Sequence, residues 1–131
     1  MLVAKKISKN KIIAYFIIIG IMFGGMFFLL QSSRPTLPSP DKIILYFGNT
    51  CPHCKDLEKY ILDNKIKEKV SFEEKEVYEN KTNSTELTMV ATSCNIPNDQ
   101  IFVPFMYANG KCLVGGDEIT KFLNDKAGLP N

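Results

Sequence analysis

Two cysteines with two residues between them, Cys51-Pro52-His53-Cys54, are the residues of this chain best suited to chemistry. A thiol is a weak nucleophile and a thiolate a strong one. The first turn of a helix favours the thiolate, because it offers unpaired backbone N–H groups and the positive end of the macrodipole. The pair sits where that effect is available. An apolar run, Lys42 to Phe47, ends at Gly48-Asn49-Thr50, and a helical pattern with Leu57, Ile61 and Leu62 on one side follows. Cys51 therefore reads as the nucleophile. Pro52 fits the first helical position, where its missing N–H has no intrahelical partner to lose. Cys54, one turn on, reaches the same sulfur and reads as the resolving thiol. The competing readings are a structural disulfide, or half of a zinc site in a chain with no second Cys-x-x-Cys. His53 is either a neighbour that stabilises the thiolate and makes the disulfide more oxidising, or a solvated helix residue.

Further along stand Val103-Pro104, the pair Gly115-Gly116 followed by Asp117, and two more cysteines, Cys94 and Cys112. Cys94 closes an apolar helical face and Cys112 lies in a short strand, so two buried thiols, a disulfide between them and a second redox relay all remain open. The glycine pair reads first as a turn and a helix start. Nothing in the pattern calls for a resident metal or a cofactor.

The elements that must position these residues alternate. Lys42 to Phe47 is a continuous apolar strand of the kind covered on both faces. A helix runs from Cys51 to about Asn64, and 66–70 either extends it or forms the return loop. Phe72 to Val77 is a weakly patterned outer strand. Asn83 starts a helix with Glu86 in the manner of a capping box, and its apolar face is Leu87, Val90, Ala91 and Cys94. After a loop through Ile101-Phe102, two short strands flank Asn109-Gly110, the strongest short hairpin signal. A last helix turns Ile119, Phe122 and Leu123 inward. The order is βαβαββα, without an internal repeat.

That order, the Cys-Pro-x-Cys at the first strand–helix junction, Val103-Pro104 before the hairpin, and Asn109-Gly110-Lys111 followed by Gly115-Gly116 together resemble the thioredoxin superfamily, and within it the glutaredoxin-like branch. The resemblance covers residues 42 to about 125. It implies an α/β fold of the minimal thioredoxin-like kind, a four-stranded mixed sheet flanked by helices. It also implies a cis Pro104 facing the cysteines, with the Val103 backbone free to pair with a bound peptide or glutathione. Leu45 stands where thioredoxins carry a buried acid, an acid that glutaredoxins also lack. Gly115, Gly116 and Asp117 loosely resemble the glutaredoxin site for the amino end of glutathione. Pro52-His53 matches the dipeptide of bacterial periplasmic disulfide oxidases, whose inserted helical domain has no room here.

The N-terminal third sets the compartment. Residues 1–34 hold five basic residues and no acid, whereas residues 41–131 hold eleven lysines against fourteen carboxylates. The mildly acidic folded part gives no reason to expect nucleic acid as a partner. From Ile12 to Leu30 no residue is charged, which as a helix spans roughly 28 Å, close to the hydrocarbon thickness of a bilayer. A cleaved signal peptide needs a shorter apolar region and a small-residue cleavage site, and Leu30-Gln31-Ser32 is a poor one. Gly20, Gly24 and Gly25 form a small-residue surface on which two such helices could pair.

Lysines before the span and Arg34 alone close behind it put the N-terminus in the cytoplasm. The expected organisation is a basic cytoplasmic segment (1–11), a single transmembrane helix (12–30), a Pro/Ser-rich tether (31–40) and an extracytoplasmic domain (41–131). The expected activity is thiol–disulfide exchange with protein thiols, the direction of electron flow being left to a redox partner such as a membrane quinone-linked protein. The alternative is a non-catalytic module that holds a partner or a soft metal ion through the same cysteines.

Overall fold

The computed structural model describes residues 9–30 and 35–130. The chain divides into two units, Met1–Arg34 and Pro35–Asn131. The basic segment before Lys9 and the first tether residues, 31–34, lie outside the described residues. In the first unit Lys9–Leu30 forms one helix, α1. Among the described residues no helix is long and apolar enough to cross a membrane; the side chains of 26–30, which the expected span includes, lie outside them. Residues 35–40 have no regular structure and count with the second unit rather than apart from it. Pro40 lies against the hairpin turn at Gly110.

In the second unit the elements are β1 (Ile43–Phe47), α2 (Pro52–Asp63), β2 (Glu73–Glu76), α3 (Lys81–Ser93), β3 (Phe105–Ala108), β4 (Lys111–Val114) and α4 (Gly116–Ala127). Short 3-10 turns occupy Ile66–Glu68 and Asn98–Gln100. The sheet order is β2-β1-β3-β4. β1 runs parallel to β2 and antiparallel to β3, and β3 is antiparallel to β4. The four-stranded mixed sheet with flanking helices fits a thioredoxin-like α/β fold.

Strand alternation divides the core into two layers. Leu45 and Met106 face one way, onto Leu57 and Ile61 of α2 and Ile119 and Leu123 of α4. Ile44, Tyr46, Phe105 and Tyr107 face the other way, onto Leu87, Val90 and Ala91 of α3. Leu62, expected with Leu57 and Ile61, is instead 62% exposed, since it falls one residue past the buried i, i+3, i+7 row of Cys54, Leu57 and Ile61. Asn109 and Gly110 take φ values of 53° and 73°, the positive pair a two-residue hairpin turn needs.

The start of α3 corrects the sequence reading. The cap is Asn80, three residues before the expected one, and its side chain accepts from the Asn83 N–H at 3.1 Å. Glu86 is therefore not part of a capping box. Its carboxylate is buried, accepting from the Tyr46 hydroxyl at 2.7 Å and from Lys75 Nζ at 2.6 Å on the same oxygen. Removing one member of such a buried set leaves the others unsatisfied. Glu86→Ala is expected to lower stability by about 2–3 kcal/mol, read from urea unfolding; a loss under about 0.5 kcal/mol would mean that water replaces the carboxylate.

Candidate active site

The β1–α2 junction places the cysteines. Cys51 is the N-cap of α2, in extended conformation, and Pro52 occupies the first turn. The Cys51 N–H donates to Gly48 O at 3.1 Å, so the loop leaving β1 turns directly into the helix. The Cys54 N–H donates to Cys51 Sγ at 3.2 Å. One of the helix's orphan donors is thus satisfied by the sulfur, the interaction that favours charge there. The Cys51 thiol donates to Val103 O at 3.5 Å. Both thiols are free.

Exposure does not separate the two, at 5% for Cys51 and 6% for Cys54. Their surroundings do. Burial, helped by a hydrogen bond that the Cys54 thiol donates to the Cys51 sulfur, pushes the Cys54 thiol up to about 12, while a backbone contact with Gly48 pulls the other way. A small cavity of about 70 Å³ lies beside it, lined among others by Leu45, Lys55, Glu58 and Glu74. Leu45 fills the position where an acid would approach this thiol in a thioredoxin, so the carboxylates nearest the cavity come from α2 and β2 instead.

Val103-Pro104 is a cis peptide, and the Val103 carbonyl meets Cys51 as described. The Pro104 carbonyl accepts from the Gly115 N–H at 2.9 Å, which ties the glycine pair to the same wall. Gly115 has φ 91° and caps α4, which begins at Gly116. A groove of about 810 Å³ brings together His53, Val103, Pro104, Gly115, Gly116 and Asp117. The glycine pair is therefore both a helix start and part of a groove wall. His53 is exposed and lines that groove.

Cys94 and Cys112 lie elsewhere. They form a disulfide between the C-cap of α3 and β4, a pairing that the sequence left among three possibilities.

The sequence reading missed several residues. Phe102, 57% exposed, stands between the groove just described and a second one of about 510 Å³ lined by Val77, Tyr78 and Val103 among others. Its adjacency to Val103-Pro104 was the available signal. Tyr60 donates to Asn124 Oδ1 at 2.9 Å and so bridges α2 and α4 at the groove floor. Tyr78 and Glu76 had no signal in the local pattern. Among the described residues no group of three or more His, Cys, Asp or Glu side chains could hold a metal ion.

No family model matches the chain, and no curated protein does. Solved structures do. A mutant of a thioredoxin-like protein is 19% identical, with 68% of this chain and 97% of that one covered and a TM-score of 0.49. Methanoredoxin of Methanosarcina acetivorans is 27% identical over 69% of this chain and 87% of its own, with a TM-score of 0.48. A wheat glutaredoxin is 22% identical over 68% and 74%, with a TM-score of 0.46. The thioredoxin-like reading of the fold stands on the strand order β2-β1-β3-β4, Cys51 at the β1–α2 junction and the cis Val103–Pro104 bond beside it.

Proposed function

We propose that this chain is a membrane-anchored thiol–disulfide oxidoreductase that exchanges disulfides with protein thiols on the extracytoplasmic side. One observation carries the reading: Cys51 caps α2 with its sulfur accepting from the Cys54 N–H, while the carbonyl of Val103 adjoins the same sulfur. In the oxidising direction a substrate thiolate attacks Cys51 of the Cys51–Cys54 disulfide and Cys54 leaves as a thiolate. A second substrate thiolate then attacks the mixed disulfide and releases Cys51. The substrate loses two electrons and two protons, and the enzyme pair gains them. Reduction of a substrate runs the same steps backwards, with Cys51 attacking and Cys54 resolving. No cofactor enters either direction.

The anchor is supported by the uncharged run from Ile12 to Leu30 within one helix. Its described side chains are exposed on all sides, Tyr15 at 72%, Phe16 at 70%, Ile21 at 69% and Phe23 at 75%. Lysines on the N-terminal side orient it with the second unit outside. There the redox state of the cysteines is set by a partner, a quinone-linked membrane protein being one chemistry that serves. Gly115, Gly116 and Asp117 form a wall for an extended peptide, and exported protein thiols rather than glutathione are the proposed substrates.

Reduction of insulin and oxidation of reduced ribonuclease by the full chain in detergent test the activity. A stoichiometric soft metal ion on the cysteines, with no turnover in either assay, would replace it with a binding module. Tags at each end and protease access to intact cells test the anchor, and a protected C-terminus would overturn the orientation.

A further inference from the structure

Val103 O takes up one side of the Cys51 sulfur, and a residue from the loop after β2 lies against the turn that precedes Cys51. The ring of Tyr78 lies on Gly48: a Cβ at that position would stand 2.4 Å from Tyr78 Cε2 and Cζ. Gly48 O in turn receives the Cys51 N–H, so the ring rests on the turn that delivers the nucleophile. Desolvation, then the charges of Cys51 and Cys54 and a hydrogen bond with the Cys51 side chain, raise the Tyr78 phenol above its ordinary value. The phenol therefore keeps its proton at neutral pH and remains a donor.

Glu76, at the end of β2, fixes the loop. Its carboxylate accepts from the N–H of Tyr78 at 2.6 Å, of Glu79 at 2.9 Å and of Asn80 at 3.1 Å. Desolvation acts upward on this carboxyl, but these bonds and one from the Asn49 N–H hold it below its usual range. Asn49 belongs to the turn before Cys51. A single carboxylate thus ties the loop that carries Tyr78 to the loop that carries the nucleophile, and Asn83 Nδ2 braces it by donating to Glu76 O at 2.9 Å.

We propose that Tyr78 is a positioning residue for the Cys51 nucleophile, its hydroxyl donating a hydrogen bond to the sulfur, with the Glu76 carboxylate holding the ring in place over Gly48. The inference rests on the reading of Cys51 as the attacking thiol. No proton is transferred: the phenol donates to the charge that Cys51 carries before attack and after release. The titratable groups that bear on this contact are Cys54 and Tyr78 beside Cys51 and Glu76 beside Tyr78, with His53 and Lys55 exposed on the first turns of α2.

The test is the rate of Cys51 alkylation by iodoacetamide against pH, in the reduced full chain, with the site read by peptide mass. A hydrogen bond to a charged group is worth about one pH unit of the thiol's titration. Tyr78→Phe should therefore displace the rate–pH profile upward by about one unit. Thiolate nucleophilicity rises as its stabilisation falls, with a Brønsted slope of about 0.4–0.5. The variant should then be about threefold slower on the rising limb of the profile and faster on the alkaline plateau, a crossing that mere loosening of the fold does not produce. Gly48→Ala pushes the ring away and should give the same displacement; in the Tyr78→Phe background it should add nothing. An unmoved profile in a folded Tyr78→Phe protein overturns the inference, even if the wild-type chain exchanges disulfides. A wild-type chain without exchange activity but with the crossing profiles would refute the proposed function and leave Tyr78 as the partner of the thiol.

Discussion

Cys51→Ser is expected to abolish disulfide exchange, lowering insulin reduction by at least about a thousandfold, whereas Cys54→Ser is expected to accumulate a substrate joined to Cys51. The two thiols are equally little exposed, and what separates them is what each sulfur meets. Cys51 accepts the helix N–H and faces Val103; Cys54 sits one turn deeper, with its thiol pushed up to about 12 chiefly by burial. Burial persists when Cys51 is bonded to a substrate. A raised thiol pKa means the attacking thiolate is scarce at neutral pH and increases with every unit toward that value. Resolution of the mixed disulfide in the wild-type chain should therefore accelerate about tenfold per pH unit from neutral pH upward, measured as decay of the transient mixed disulfide in rapid-mixing experiments. A flat profile would mean that a group beside the small cavity, Glu58 or Glu74, takes the proton as attack occurs. Retention of dithiol turnover by Cys51→Ser would remove the assignment altogether.

The parts of the fold that sequence made legible are those where local and tertiary preferences agree. The continuous apolar run of β1 needs cover on both faces, and it has it, Leu45 in one layer and Ile44 and Tyr46 in the other. Asn109-Gly110 takes the positive φ values its composition favours. The cysteine pair lies where a strand meets a helix, and Pro52 marks the first turn. The failures have a common cause, side chains whose partners are distant in sequence. Glu86 lay at capping-box spacing from Asn83, but a buried tyrosine hydroxyl forty residues away competes for its carboxylate. Asn83 in turn gives its amide to Glu76 O, leaving the cap to Asn80. Tyr78 has no signal in its own neighbourhood, and only Gly48, far upstream, carries a trace of it: a glycine where the ring needs room. Such carboxylate and phenol contacts have no periodicity, so pattern reasoning passes over them.

Loss of the Cys94–Cys112 disulfide should lower stability strongly without touching the active site. The bond closes a segment with a sequence separation of 18, for which restriction of the unfolded chain is worth about 3 kcal/mol. In a domain of this size that corresponds to a drop in Tm of roughly 15 °C. The position strengthens the case. Thr85, Thr88 and Thr92 on α3 turn their hydroxyls back onto the carbonyls of Lys81, Ser84 and Thr88, contacts that lend an isolated helix little support. The helix depends on Leu87, Val90 and Ala91 packing onto the sheet. Its C-terminal end is held by Cys94 against β4, an edge strand of that sheet. In the Cys94→Ala/Cys112→Ala chain, amide exchange should therefore rise first at the end of α3, while Cys51 keeps its alkylation rate, because the nucleophile is fixed by β1, α2 and the β2–α3 loop rather than by the far end of α3. A loss under about 1 kcal/mol, or alkylation of both cysteines in the isolated wild-type chain without reductant, would exclude the disulfide as a stabilising clamp. Coupled loss of Cys51 reactivity would instead tie the two cysteine pairs into one redox relay.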